Sequence, residues 1–106
     1  MYYVYMLRCA DGSLYTGITP DPRRRLQAHL AGRGAKYTRS HPPVEVAALW
    51  RADGRTAAAR LEYAVKKRLD KEQKERLVSA PEKWRELLPH LSELAIEPAE
   101  VTADVQ

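Results

Sequence analysis

The sequence has no phenylalanine, although it has six tyrosines. Every small-aromatic position therefore also carries a hydroxyl, and core packing alone gives no reason for that choice. There is one cysteine, Cys9. That excludes an internal disulfide and a cysteine-rich zinc site. No apolar run approaches the ~20 residues that span a bilayer, so no membrane partner is expected. The N-terminus lacks the basic, then apolar, then small-residue order of a secretory signal. The cytoplasm is the expected compartment. Internal repeats and low-complexity tracts are absent too.

What is present fits a single domain. A chain of 106 residues is long enough for one modest core. The net charge of +4 hides an asymmetry: residues 1–78 hold 16 Lys and Arg against 8 Asp and Glu, and residues 79–106 hold 2 against 6. A basic body with an acidic end suits a polyanion-binding protein. Ordinary solvated surface is the alternative.

Tyr2 to Arg8 and Leu14 to Thr19 read as strands, with the turn signal Ala10-Asp11-Gly12 between them. Asp21-Pro22 reads as N-cap and first helical residue of a helix to about Ala31. "GRGAKYTRSHPP" reads as a loop, and Val44 to Trp50 as a third strand. Thr56 can cap the helix "AAARLEYAVKKRL". Asp70 with Gln73, and Ser79 with Glu82, carry capping-box signatures for two more helices. In the last of these, Trp84, Leu87, Leu88 and Leu91 form an apolar stripe. The expectation is an α/β chain of α+β type. A small three-stranded, largely antiparallel sheet is flanked by helices, in the order β-β-α-β-α-α-α. Residues 1–94 form the domain, and 95–106 an acidic, disordered tail.

The loop length of the first hairpin decides which side chains share a face. A two-residue Asp-Gly loop pairs Arg8 with Tyr15 and leaves Tyr5 on the other face. A three-residue loop with a left-handed Gly12 pairs Leu7 with Tyr15 and Tyr5 with Gly17. The second register is preferred, because a strand glycine usually marks a close approach. Tyr3, Tyr5, Leu7, Tyr15 and Gly17 then lie together. Their alternative is a pair of half-buried tyrosines with water-facing hydroxyls.

On the first helix, Leu26 and Leu30 fall on the packing stripe. Arg25 and His29 are four apart and stack beside it. Arg23 and Arg24 read as free surface cations. On the "TAAARLEYAVKKRL" helix the stripe is Ala58, Leu61, Val65 and Leu69. Glu62 lies at its edge, the lone acid among basic and small residues. A single carboxylate with waters suits a hard divalent cation such as Mg²⁺. The plain alternative is an i,i+4 pair with Lys66, worth ~0.2–0.5 kcal/mol.

Taken together, Tyr3-Val4-Tyr5, Tyr15-Thr16-Gly17, Arg25, His29 and Glu62 resemble the GIY-YIG nuclease superfamily. The match runs from Tyr3 to about Leu69. "YTGIT…RRLQAH…GxGAKYT" is similar to its small stand-alone bacterial branch, and to the nuclease domain of the eukaryotic structure-specific endonuclease. The resemblance implies metal-dependent hydrolysis of phosphodiester bonds in DNA, branched or single-stranded, with RNA as the other candidate. It implies Tyr15 as general base, Tyr5 in support, Arg25 on the scissile phosphate and His29 assisting proton movement. Glu62 would hold one Mg²⁺ or Mn²⁺. Arg24, Lys36, Arg39, Lys66 and Lys67 would track the nucleic-acid backbone. A free phenol, with a pKa of ~10, is a poor base until cations or a metal lower it; Arg25 and the metal are the candidates for that. Two departures stand out. Tyr3 replaces the first-motif glycine, and the chain has no asparagine, a residue that many members add late in the domain. A non-catalytic nucleic-acid-binding module, or a subunit dependent on a protein partner, is the alternative reading.

Overall fold

The computed structural model describes residues 1–101. Its elements are β1 (Tyr2–Cys9), β2 (Leu14–Thr19), α1 (Pro22–Leu30), α2 (Lys36–Ser40), β3 (Pro43–Ala52), α3 (Arg55–Arg68), α4 (Lys71–Ser79), α5 (Trp84–Leu87) and β4 (Ile96–Pro98). Short 3-10 turns at Pro81–Lys83 and Pro89–Leu91 flank α5.

The hairpin adopts the three-residue loop. Gly12 has φ +86, a left-handed turn that favours glycine. Leu7 pairs with Tyr15 and Tyr5 with Gly17. The strands join in the order β2-β1-β3-β4, with every pairing antiparallel. The sheet therefore has four strands, not three. The extra one comes from the stretch expected to be a tail. Ile96 is fully buried and pairs with Ala52, and the Ala99 amide donates to the Leu49 carbonyl at 2.8 Å. Three residues containing Pro and Glu carry no strand signal of their own; the open edge of β3 imposes the conformation. The remainder of the expected tail, residues 102–106, lies outside the described residues.

Strand alternation splits β1 between two layers. Val4 and Met6, with Ala48 and Trp50 of β3, face the main core. Ala58, Leu61 and Val65 of α3, Leu77 of α4, and Trp84, Leu88, Leu91 and Ile96 cover them. The Trp50 indole N–H donates to the Pro81 carbonyl at 3.0 Å, which satisfies a polar group that burial would otherwise leave unpaired. Tyr5, Leu7 and Leu49 face the other way and pack against Leu26 of α1, with Tyr3, Tyr15, Val46, Ala99 and Val101 around them. The second layer is thin, and the candidate site is built on it.

Asp21 and Asp70 cap α1 and α4 as expected, the latter with Gln73 completing a capping box. Three local readings need correction. Thr56 is not a cap, because Gly54 takes the N-cap position two residues earlier and α3 starts at Arg55. Ser79 ends α4 rather than opening a helix, and Pro89 divides the following segment, since proline cannot donate the helical hydrogen bond. The glycine- and proline-rich loop contains the five-residue helix α2. Among the described residues, no helix is long and apolar enough to cross a membrane.

Candidate active site

Gly17 leaves room that Tyr5 fills. A Cβ placed on Gly17 would stand 2.6 Å from Cζ of the Tyr5 ring, so that ring lies directly against the β2 backbone. The Tyr5 hydroxyl is buried 2.8 Å from Nε2 of His29. Nδ1 of His29 is 2.6 Å from Oγ1 of Thr38, and the Thr38 hydroxyl donates to the Ala35 carbonyl at 3.0 Å. These bonds assign one consistent direction. Thr38 spends its proton on Ala35, so its oxygen accepts from Nδ1–H. Nε2 is then the bare nitrogen and accepts from the Tyr5 hydroxyl. Behind the imidazole, a Cβ on Gly34 would stand 2.7 Å from Cγ of His29. Two glycines thus hold the Tyr5–His29 pair from either end.

His29 is only 2% exposed, whereas Leu30 is 60% exposed. The stripe of α1 is Leu26 with His29, not Leu26 with Leu30. Helical spacing places both 29 and 30 near the boundary, and the hydrogen bonds to Tyr5 and Thr38 decide which turns inward. Arg25 stands one turn before His29, and its Nε donates to the Tyr5 hydroxyl at 3.4 Å.

Burial, aided by the nearby Arg25 charge, pushes the imidazole of His29 down to about 4. Burial also pushes the Tyr5 hydroxyl up to about 12, against the opposing hydrogen bond from Arg25; the Tyr15 hydroxyl and the Glu62 charge add to the rise. Both groups are neutral at pH 7. Tyr5 donates to Nε2, and both ring nitrogens of His29 have partners inside the protein.

Tyr15 differs. It is half-buried, and among the described residues its hydroxyl has no hydrogen-bond partner. Its ring lies 6.3 Å from that of Tyr5 and 5.5 Å from the imidazole, between centroids. Tyr37 stacks on it at 5.7 Å, and His41 stacks on Tyr37 at 4.0 Å. The Lys66 ammonium sits 5.4 Å from the Tyr15 ring centroid and 3.4 Å from Glu62. So Tyr5, Tyr15, Arg25 and His29 meet directly. Glu62 joins them from α3 through Lys66. Arg24, Lys36, Arg39 and Lys67 are exposed, next in sequence to Arg25, Tyr37, Thr38 and Lys66. Tyr37 and Thr38 are not among the residues expected at the site; both lie in "GAKYT", inside a stretch whose glycines and prolines read as a loop.

No group of three His, Cys, Asp or Glu side chains could hold a metal among the described residues. The side chains alone therefore make no closed cage. A half-buried single carboxylate, Glu62, beside cations and phenols is a different donor set. It fits a hard divalent ion that keeps waters and takes further oxygens from a substrate phosphate.

The neutral imidazole makes stability depend on pH. An unfolded His29 binds a proton below ~6.5, the native one only below about 4. Between those values the unfolded state holds more protons, so stability falls as pH falls. His29 is expected to contribute a loss on the order of 3 kcal/mol across that window. Urea unfolding of wild type and His29→Gln at pH 7, 5.5 and 4.5 reads it as the difference between the two slopes. Identical slopes would show that the imidazole is not held neutral.

These features define a known class of catalytic domain. Residues 1–76 match the GIY-YIG catalytic domain family, and the chain belongs to that family. It is similar to a UPF0213 protein of Fusobacterium nucleatum, 45% identical over 83 residues, which span 78% of this chain and 82% of that one. A UPF0213 protein of Serratia proteamaculans is 52% identical over 80 residues, 76% of this chain and 78% of the other. A solution NMR structure of a UPF0213 protein from Bacillus halodurans has 45% identity and a TM-score of 0.49, covering 79% of this chain and 93% of that one.

Proposed function

We propose that this protein is a metal-dependent endonuclease that hydrolyses phosphodiester bonds in DNA. One observation carries the reading. Arg25 and two tyrosines of unequal character converge on one sheet face, with a lone carboxylate at its margin. Phosphoryl transfer needs positioned positive charge above all, and this face presents it.

Tyr15, with its open hydroxyl, is the base for the attacking water. Water oxygen bonds to phosphorus, its proton passes to the Tyr15 oxygen as the phenol's own proton leaves to solvent, and the phosphorus–leaving-oxygen bond breaks. The leaving oxygen takes a proton from solvent. The products are one hydroxyl end and one phosphate-monoester end. Tyr5 donates to His29 and cannot play the same part; it holds Arg25 in place. His29 and Thr38 are positioning residues for Tyr5. Arg25 binds the non-bridging phosphate oxygens. Glu62 would hold one Mg²⁺ or Mn²⁺, which when bound offsets charge on the phosphate and leaving oxygen.

The test uses end-labelled single-stranded, duplex, flap and four-way-junction DNA with Mg²⁺, Mn²⁺ or EDTA. Cuts that need the metal are expected on at least one substrate. Salt-sensitive binding that ignores the metal, with no cut on any substrate, would instead make the chain a nucleic-acid-binding module.

A further inference from the structure

The outer face of α3 carries a cationic surface that the residues of the candidate site do not include. α3 holds Arg55, Arg60, Lys66, Lys67 and Arg68 against one acid, Glu62. The neighbouring α4 holds Lys71, Lys74 and Arg76 against Glu72 and Glu75, and two of its three cations are paired, through Lys71–Glu75 and Arg76–Glu72. On α3, Arg55, Lys67 and Arg68 have no ion pair among the described residues, and Arg60 reaches Glu93 only at 3.9 Å.

Two of the unpaired cations, Arg55 and Arg68, line a concavity of about 470 Å³ together with Thr56, Arg60, Tyr63 and His90. No acid lines it. Tyr63 is 62% exposed, so packing does not account for it. A concavity of about 530 Å³ on α4 and α5 makes the contrast: Glu72, Glu75 and Glu86 line it beside Arg76 and Lys83. The first surface is complementary to a polyanion and the second is not.

We infer that the α3 concavity is a second backbone-binding surface for nucleic acid, engaging phosphates of the substrate beyond the cleaved bond. This rests on the reading of the protein as one that acts on DNA. The path is short. Glu62 and Lys66, which border Tyr15, lie on the same helix as Arg55, about two turns before Glu62 on the same line, and Tyr63, one residue around the axis. α3 has 14 residues, so it is about 20 Å long. That matches about six phosphates along one strand of a duplex. Guanidinium groups with an exposed aromatic ring suit a backbone with bases nearby. The surface extends the footprint without touching the reacting atoms.

Binding of a fluorescent 30-mer DNA, followed by anisotropy in EDTA across a salt series, tests this. The double variant Arg55→Glu/Arg68→Glu should weaken binding roughly tenfold and flatten the salt dependence by about two contacts. Arg76→Glu/Lys83→Glu makes the same change in net charge at the mixed concavity and should leave both quantities near wild type. Equal binding by wild type and the α3 variant overturns the inference while the nuclease reading stands. Equal losses in both variants also overturn it, since net charge alone would then explain them. A wild type that neither binds nor cuts DNA removes both readings together.

Discussion

Arg25→Ala is expected to lower the rate of metal-dependent DNA cleavage by roughly 10²–10³-fold, with the fold intact. Nε of Arg25 is spent on the Tyr5 hydroxyl, which fixes the plane of the guanidinium. Among the described residues the two terminal nitrogens have no partner, so the planar fork is left to bind phosphate oxygens under the proposed mechanism. Loss of the charge and of the fork both remove stabilisation of the developing phosphate charge. Arg25→Lys keeps the charge but cannot bond Tyr5 and grip two phosphate oxygens together; it should recover little. Arg25 is half-buried and outside the main core, so thermal unfolding should shift little. Cleavage rate and Tm, measured on both variants, separate a lost site from a lost fold. Wild-type rates in Arg25→Ala would remove it from the mechanism.

Gly17→Ala is expected to damage fold and site at once. The added methyl would meet the Tyr5 ring, and that ring has no retreat. On its far side stands His29, itself backed by Gly34. Either the hairpin opens or Tyr5 leaves its bonds to His29 and Arg25. Overpacking of this kind costs ~1–3 kcal/mol, which for a domain of about 100 residues lowers Tm by roughly 4–20 °C. Cleavage should fall with it, because Arg25 loses its anchor. A cycle with Tyr5→Leu assigns the cause. Once the ring is gone, Gly17→Ala should cost almost nothing further in stability, while cleavage stays low. Additive losses would place the damage elsewhere.

The sequence made the hairpin register legible because loop length and a strand glycine are local signals, and Tyr5, Tyr15 and Gly17 followed from it. The helices with strong caps, at Asp21 and Asp70, were legible for the same reason. The inward turn of His29 was not. Periodicity ranks leucine above histidine for burial, and only the partners Tyr5 and Thr38, 24 and nine residues away, reverse that ranking. α2 was hidden by the glycines and prolines that flank it. β4 was hidden because its conformation belongs to the edge of β3. The α3 surface was half visible: Lys66 and Lys67 stood out as a pair, but Arg55, Arg60 and Arg68 come together only in the concavity that α3 shares with the Pro89–Leu91 turn.

In β1, consecutive residues answer to different demands. Val4 and Met6 are constrained by volume, since the main core closes over them. Tyr5, between them, is constrained by the atoms it must reach. Substitution can therefore tune one side of this strand while the other stays fixed, as long as the count is kept. A single residue inserted or deleted between Tyr5 and the hairpin loop would exchange the two sets upstream of it, putting phenols into the main core and aliphatics beside Arg25. Drift in this protein is thus free in letter but not in length along its first strand.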